Sequence, residues 1–122
     1  MAKKPLVKYT DETRPASCPY GTTQRVVTGG EGGVANVHVI TVSKGTEHYH
    51  KGYDEVYYVL EGEGKIILDG KESVLRPGAV VVVPSGVVHS LHSNESGPIR
   101  FVIFGHPAMD VRDERFEPNK PL

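Results

Sequence analysis

The chain of 122 residues has little of three features: it contains one cysteine, almost no net charge and no long apolar run. Cys18 cannot form an internal disulfide, which agrees with a reducing compartment. A net charge of −1 offers no electrostatic attraction for phosphate backbones or anionic lipid, so we expect neither a nucleic-acid nor a membrane partner. No segment approaches the roughly 20 apolar residues of a membrane span, and the start Met-Ala-Lys-Lys-Pro lacks an apolar signal core. We therefore expect a cytoplasmic protein.

The composition predicts one globular domain built from strands. With 38% hydrophobic and 24% charged residues, the chain can bury a core without disulfides. Its 14 glycines and 9 prolines lie between short β-branched runs, where they mark turns and break helices. The predicted strands are Gln24–Thr28, Ala35–Val42, Glu55–Leu60, Lys65–Leu68, Lys71–Leu75, Ala79–Val83, Ser90–His92 and Ile99–Phe104.

Two turn signals predict antiparallel pairing of neighbouring strands. Asp69-Gly70 supplies the positive φ of a two-residue hairpin, so Lys65–Leu68 should pair with Lys71–Leu75. Gly62-Glu63-Gly64 predicts a second hairpin, between Glu55–Leu60 and Lys65–Leu68. Many short strands must close their sheet edges, which favours a small barrel or a double-sheet jelly roll with an interior and a mouth.

The two ends of the chain read as irregular arms. Pro5, Pro15 and Pro19 interrupt the beginning, and Pro107, Pro118 and Pro121 interrupt the end. We divide the chain into an N-terminal arm with a first strand at 1–33, a barrel at 34–104 and a C-terminal arm at 105–122. Such arms could drape over their own barrel or exchange between protomers.

Three histidines and one glutamate form the constellation that carries chemistry. His48 and His50 are two residues apart, so on a strand both imidazoles would point to one face. Glu55 follows a short loop, and His89 follows the apolar run Val80–Val83 and a turn. Three imidazoles and a carboxylate meeting inside a barrel would suit Fe, Mn, Co, Ni or Zn, and the ligand set does not choose among these metals. Four ligands on an octahedral ion leave two positions open for water, dioxygen or a substrate.

Two motifs in the sequence resemble those of the cupins, a superfamily of small β-barrels. The first motif runs His48-Tyr49-His50, four residues, Glu55, six residues, Gly62; the second runs Gly78, five residues, Pro84-Ser85-Gly86, two residues, His89. Fifteen residues separate the motifs, as in compact microbial cupins. Ala79 stands where many cupins have Asp, and Asn94 lies one place later than the usual Asn, but neither is a ligand position.

The resemblance covers about Val34 to Phe104 and implies a small double-stranded β-helix, or jelly-roll, barrel. It implies one divalent transition metal per chain, held by His48, His50, Glu55 and His89. Small barrels of this superfamily commonly pair, so we expect a homodimer. The superfamily supports many reactions on one barrel, so the resemblance does not identify a substrate.

Other polar residues could line the cavity. Tyr57 shares strand parity with Glu55 and should point inward, either as an acid, a base or a hydrogen-bond donor, or only as an aromatic of the barrel wall. Tyr49 should point to the opposite face and pack there. His38 and Tyr53 line the mouth only if the strand register places them there.

Two arginines fall on predicted strands. Arg25 could hold a substrate carboxylate if it faces the cavity, and is a solvated charge if it does not. Arg100 should point outward, because its neighbours Phe101 and Ile103 are expected in the core.

The remaining histidines and the cysteine have less specific interpretations. We expect His92 at the surface and His106 in the C-terminal arm. Cys18 could be a reactive thiol, but a free cysteine is more often a small packing residue.

These observations leave three functional hypotheses. The first is a metal-dependent enzyme acting on a small oxygenated substrate chelated at the metal, either a dioxygenase or an isomerase or lyase in which Glu55 or Tyr57 moves a proton. The second is a module that binds a small molecule or a metal without turnover. The third is a metal-free structural barrel.

Overall fold

The computed structural model describes residues 5–18, 21–29, 34–45 and 47–108. Within them the chain is nearly all β, as the sequence predicts, with one short 3-10 turn at Thr10–Glu12. The strands are β1 (Ala16–Cys18), β2 (Gly21–Val27), β3 (Asn36–Val42), β4 (Asp54–Glu61), β5 (Gly64–Leu68), β6 (Lys71–Leu75), β7 (Val80–Val83), β8 (His89–Ser93) and β9 (Ile99–His106). No helix in these ranges is long and apolar enough to cross a membrane.

Two antiparallel sheets form the barrel. The larger sheet has six strands in the order β1-β2-β3-β9-β4-β7, and the smaller has three in the order β6-β5-β8. Their inner faces share one core, in which Ile66 and Leu75 of the smaller sheet join Val59, Ile99 and Phe101 of the larger. Bridges between Lys44 and His92, and between His48 and His89, connect the segment before β4 to β8. This jelly-roll arrangement confirms the predicted fold class.

Alternation along β9, and along β4 as far as Leu60, decides which side chains face the interior. Glu55 and Tyr57 are buried, whereas Val56 and Tyr58 between and beyond them are at least 36% exposed. On β9, Phe101 and Ile103 are buried as predicted. Arg100 points outward, and its Nη1 lies 3.8 Å from Oε1 of Glu61.

One predicted hairpin is confirmed and the other is wrong. β5 and β6 pair up to Leu68 and Lys71, and the turn between them has φ values of 50° at Asp69 and 84° at Gly70. β4 and β5, in contrast, belong to different sheets: β4 pairs with β7 and β9, and β5 pairs with β6 and β8. Gly62 therefore marks a corner at which the chain passes between sheets, close to the carbonyl of Pro98.

The arms contain more regular structure than the sequence predicts. β1 lies in the N-terminal arm and pairs with β2, although its three residues are too few to give a strand signal. β9 continues to His106, which is opposite Asp54, so the expectation that His106 belongs to an irregular arm is wrong. β9 continues past Phe104 because its backbone still pairs with β4. The division at residues 33 and 104 remains a prediction, and 109–122 lie outside the described residues.

Candidate metal centre

Three histidines meet at one end of the barrel interior. His89 begins β8, His48 is bridged to it across the backbone, and His50 lies two residues further on. The ring centroids of His48 and His89 are 4.3 Å apart, and those of His48 and His50 are 5.0 Å apart. One nitrogen from each ring lies within 4.8 Å of the others. The three histidines that the sequence predicts as ligands therefore form one compact cluster.

Glu55 adds a carboxylate to this cluster from β4. Its Oε1 is 3.3 Å from Nε2 of His50 and 3.7 Å from Nε2 of His89. Desolvation by burial would raise the pKa of Glu55, but the hydrogen bond with His50, the electrostatic interactions with His50 and His89 and the Tyr57 hydroxyl outweigh burial and leave that pKa lowered. The carboxylate is therefore ionised at neutral pH.

His89 is held in the form that binds metals. Its Nδ1 donates a 2.9 Å hydrogen bond to the carbonyl of Val87, which leaves the lone pair on Nε2 facing the cluster. Burial, with the neighbouring His48, lowers the pKa of His89 to about 4, so the ring is neutral. The buried Nε2 has no hydrogen-bond partner among the described residues. An unsatisfied, neutral imidazole nitrogen beside two further imidazoles fits a first-row transition metal.

Contacts around the cluster hold in place the loop between His50 and the start of β4. The Tyr53 hydroxyl lies 3.0 Å from Nδ1 of His50, and the two rings stack. The turn after β7 fastens the same loop, because Gly86 N–H donates to the His50 carbonyl at 2.7 Å and Ser85 N–H donates to Asp54 Oδ1 at 2.8 Å. Such outer contacts orient the histidines before any ligand arrives.

A cavity of about 140 Å³ opens beside the cluster. Its volume is similar to that of an engineered cavity that takes up benzene, so the site admits a small molecule. The wall is mixed: apolar side chains come from β3, β8 and β9, and polar ones from β2, β3 and β4. The lining residues outside the cluster are Cys18, Thr23, Arg25, His38, Ile40, Val42, Gly45, Tyr53, Tyr57, Leu91, Phe101 and Ile103.

The structure decides several positions that the sequence leaves open. Tyr57, His38 and Tyr53 all line the cavity. Arg25 also lines it, which selects the cavity-facing alternative for this arginine. Tyr49 is buried but is not part of the lining, in agreement with its predicted orientation.

Among the lining residues with a polar or thiol group, Cys18 and Thr23 are not identified from the sequence. Cys18 lines the wall from β1, so it is more than a packing residue in the arm. Thr23 was missed, although it shares strand parity with Arg25, which is the signal that could have found it. His92 is half-buried and bonds to Ser90 Oγ at 3.1 Å, outside the cavity.

Comparison with known proteins agrees with this architecture. The model of the cupin domain family matches residues 36–105. Quercetin 2,3-dioxygenase of Bacillus subtilis is 43% identical over 44 residues, which are 36% of this chain and 13% of that protein. The oxalate-binding protein of Thermotoga maritima is 34% identical over 55 residues, which are 45% of this chain and 46% of that protein. The chain thus spans less than half the length of either relative.

A solved structure shows the same fold over nearly the whole chain. A protein from Planctomyces limnophilus superposes with a TM-score of 0.78 at 26% identity, covering 93% of this chain and 97% of that one. The family match extends from the start of β3 to Gly105, the last residue but one of β9, and includes all three clustered histidines and Glu55. The chain belongs to the cupin domain family.

Proposed function

We propose that this protein is a metal-dependent enzyme that acts on a small oxygenated organic substrate. His48, His50, His89 and Glu55 would hold one divalent transition metal, and Glu55 with Tyr57 would carry the reaction. The observation that carries this proposal is the buried Nε2 of His89, which is neutral, has no described hydrogen-bond partner and faces two imidazoles and a carboxylate. A structural barrel would gain nothing from burying that group, because an unsatisfied polar atom costs about 1–3 kcal/mol.

The geometry favours proton transfer, as in an isomerase or lyase. The metal would polarise an oxygen of the substrate, which acidifies the neighbouring C–H or O–H groups. Glu55 is ionised and can accept such a proton, while the Tyr57 hydroxyl, 3.0 Å from its Oε1, can donate one or hold the substrate oxygen. Phe101 and Ile103 line the same cavity from the neighbouring strand β9, where Ile103 is directly opposite Tyr57, and make this part of the wall apolar.

Two alternatives have support from the relatives. A dioxygenase reaction is favoured by the similarity to quercetin 2,3-dioxygenase, and binding without turnover by the similarity to the oxalate-binding protein. These can be separated by incubating candidate carbonyl substrates with the protein in D₂O while dissolved oxygen is recorded. Deuterium incorporation without oxygen uptake supports proton transfer. Oxygen uptake supports a dioxygenase, and saturable binding with neither signal supports a binding module.

A homodimer and a cytoplasmic location are part of the proposal. The outer surface of the larger sheet carries an exposed apolar face, which consists of Val56, Tyr58, Leu60, Val80, Val82 and Phe104. At its centre Val56 is opposite Val82 and Tyr58 is opposite Val80. A sheet surface that faces water is normally polar, so we propose that a second copy of this chain covers the apolar face. The two copies would contact each other through the same face, related by a two-fold axis.

Cys18 supports the cytoplasmic location, because its single thiol needs no oxidising compartment.

Elemental analysis of protein purified without an affinity tag or chelator tests the metal site. We expect about one equivalent of metal in the wild type and its loss in His50→Ala. His92→Ala is the matched control, because His92 is half-buried on β8 outside the cavity, and it should keep the metal. A wild type that contains no metal, and takes up none from Fe(II), Mn, Ni or Zn solutions, would contradict the proposal and favour a metal-free barrel.

A further inference from the structure

We infer, on the basis of the proposed function, that Thr23, Arg25 and His38 bind a carboxylate of the substrate. The substrate class is then a small organic acid, with an oxygen donor for the metal cluster at one end and this carboxylate at the other. The three residues form one continuous patch, called here the polar wall, on β2 and β3.

Strand pairing brings the polar wall together. Arg25 lies directly opposite His38 in the β2–β3 ladder, and Thr23 precedes Arg25 by two residues on the same face. All three line the cavity that also contains the histidine cluster. Thr23 is buried, whereas Arg25 is exposed and so belongs to the solvent-accessible part of the lining. A charged ligand would therefore meet Arg25 as it enters.

Arg25 is the single Lys or Arg among the lining residues that the structure describes. It forms no ion pair or hydrogen bond with a described residue, so its five N–H donors remain available for a ligand. The guanidinium fork matches the two oxygens of a carboxylate, which it can bind through two parallel hydrogen bonds. The charge of Arg25 thus selects an anionic group.

Two buried polar atoms beside Arg25 have no hydrogen-bond partner within the described ranges. They are Thr23 Oγ1 and His38 Nε2. Native proteins satisfy almost all buried polar atoms, so such a pair in a cavity wall indicates a ligand that completes them. A carboxylate can accept from the Thr23 hydroxyl. Burial, together with the charge of Arg25, lowers the pKa of His38, so this ring is neutral and can donate from one nitrogen.

Charge complementarity supports the same substrate class. The ionised Glu55 carries one negative charge, so a divalent ion leaves the cluster with a net positive charge, and Arg25 adds a second. A ligand with two acidic groups would neutralise both. The metal cluster and the polar wall contribute to one cavity, so one acidic group would meet the metal and the other would meet Arg25. The substrate is thereby oriented with its free carboxylate at the polar wall.

The first test compares acids that differ only at the remote carboxylate. Malate is paired with 2-hydroxybutanoate, and 2-oxoglutarate with 2-oxopentanoate, so a methyl group replaces one carboxylate in each pair. Binding to the metal-loaded protein is measured by isothermal titration calorimetry. We expect the diacid of at least one pair to bind about tenfold more tightly, as one charge-assisted contact would give. Arg25→Gln should abolish this preference, while Arg25→Lys should keep part of it.

Arg100→Gln is the matched control, because Arg100 lies on the outer face of β9 near Glu61. It should retain the full preference for the diacid. Circular dichroism and thermal unfolding of each variant identify any that fail to fold. Equal affinities within both acid pairs for the wild type, a preference that survives in Arg25→Gln, or absence of binding by all four acids would overturn the inference.

Cys18 supplies a second readout that needs neither turnover nor an assay substrate. It is the one cysteine of the chain, is half-buried and lines the same cavity. A bound diacid should slow alkylation of Cys18 by iodoacetamide several-fold in the wild type and in Arg100→Gln, but not in Arg25→Gln. Alkylation rates unchanged by the diacid in the wild type would count against binding in this cavity.

Metal analysis of the same samples keeps the two proposals apart. A wild type without metal overturns the proposed enzyme, and the acid pairs are then applied to that metal-free protein. A diacid preference that Arg25→Gln removes would still support the polar wall. A metal-loaded wild type with no diacid preference overturns the polar wall and leaves the metal site standing.

Discussion

The hydroxyl of Tyr57 donates a 3.0 Å hydrogen bond to Oε1 of Glu55, and both side chains project from the same face of β4 into the cavity. The same carboxylate oxygen is 3.3 Å from Nε2 of His50. Tyr57 therefore contacts the group that would serve both as metal ligand and as proton acceptor. Loss of the Tyr57 hydroxyl alone should therefore affect the reaction but leave the metal content unchanged.

Tyr57→Phe should lower the rate of the proposed proton transfer by about 10²- to 10⁴-fold while metal content stays near the wild-type value. The phenyl ring preserves packing against Phe101, whose ring centroid is 5.0 Å away. Tyr58→Phe is the control, because Tyr58 points to the opposite face of the same strand. The measurement is deuterium exchange into the substrate, with elemental analysis of both variants. Equal rates for Tyr57→Phe and the wild type would assign Tyr57 to the barrel wall alone.

Acid should destabilise the metal-free protein through His89. The pKa of His89 is about 4 in the fold and near 6.5 when unfolded, so the unfolded chain takes up the proton first as the pH falls. The free energy of unfolding should drop between pH 6.5 and 4, with a contribution from His89 on the order of 3 kcal/mol. Glu55 contributes to this loss of stability only below pH 4.5, the ordinary pKa of its carboxyl group, because its pKa in the fold is lowered.

Urea unfolding of chelator-treated protein at several pH values measures this effect. His89→Gln removes the titrating ring and should flatten the dependence between pH 6.5 and 4. His92→Gln should leave the slope as in the wild type. The pKa of His38 is lowered too, so some slope remains in every variant. A slope unchanged in His89→Gln would show that this ring does not contribute.

The corner at Gly62 should be more sensitive to substitution than the hairpin at Gly70. Both glycines have positive φ, 88° and 84°, so alanine costs about 1 kcal/mol at either position. A Cβ at Gly62 would also collide with the backbone carbonyl of Pro98, whereas at Gly70 nothing lies within 4 Å. Gly62→Ala should therefore lower the free energy of unfolding clearly more than Gly70→Ala. Equal losses in urea unfolding would mean that the corner relaxes.

Lysine in the apolar face should dissociate the proposed homodimer. The expected wild-type mass in light scattering is twice the chain mass of 13.3 kDa. Val82→Lys, together with Val56→Lys, places charge at the centre of the face and should give monomers. Val74→Lys is the control, because Val74 is 81% exposed on β6 in the other sheet. A wild-type mass near 13.3 kDa would contradict the dimer.

Local patterns account for most of the strands and for the residues of the candidate metal cluster. Alternation along Glu55–Leu60 and the Asp69-Gly70 turn depend only on neighbouring residues, and both are reproduced in the structure. The Gly62 turn was misassigned because a glycine-rich turn looks the same whether it closes a hairpin or crosses between sheets. The difference depends on β9 and β7, which compete for β4 from far along the chain.

Strand parity and motif spacing are local properties, so they are enough to predict the all-β class, the interior side of β4 and the set of three histidines with Glu55. The fold, in contrast, is what brings Arg25, Thr23, His38 and Cys18 into one cavity with that cluster. Their placement depends on the β1–β2 and β2–β3 registers, and a shift of one residue would turn each side chain to the other face. Pairing between distant strands sets those registers, and no local pattern in the sequence specifies them.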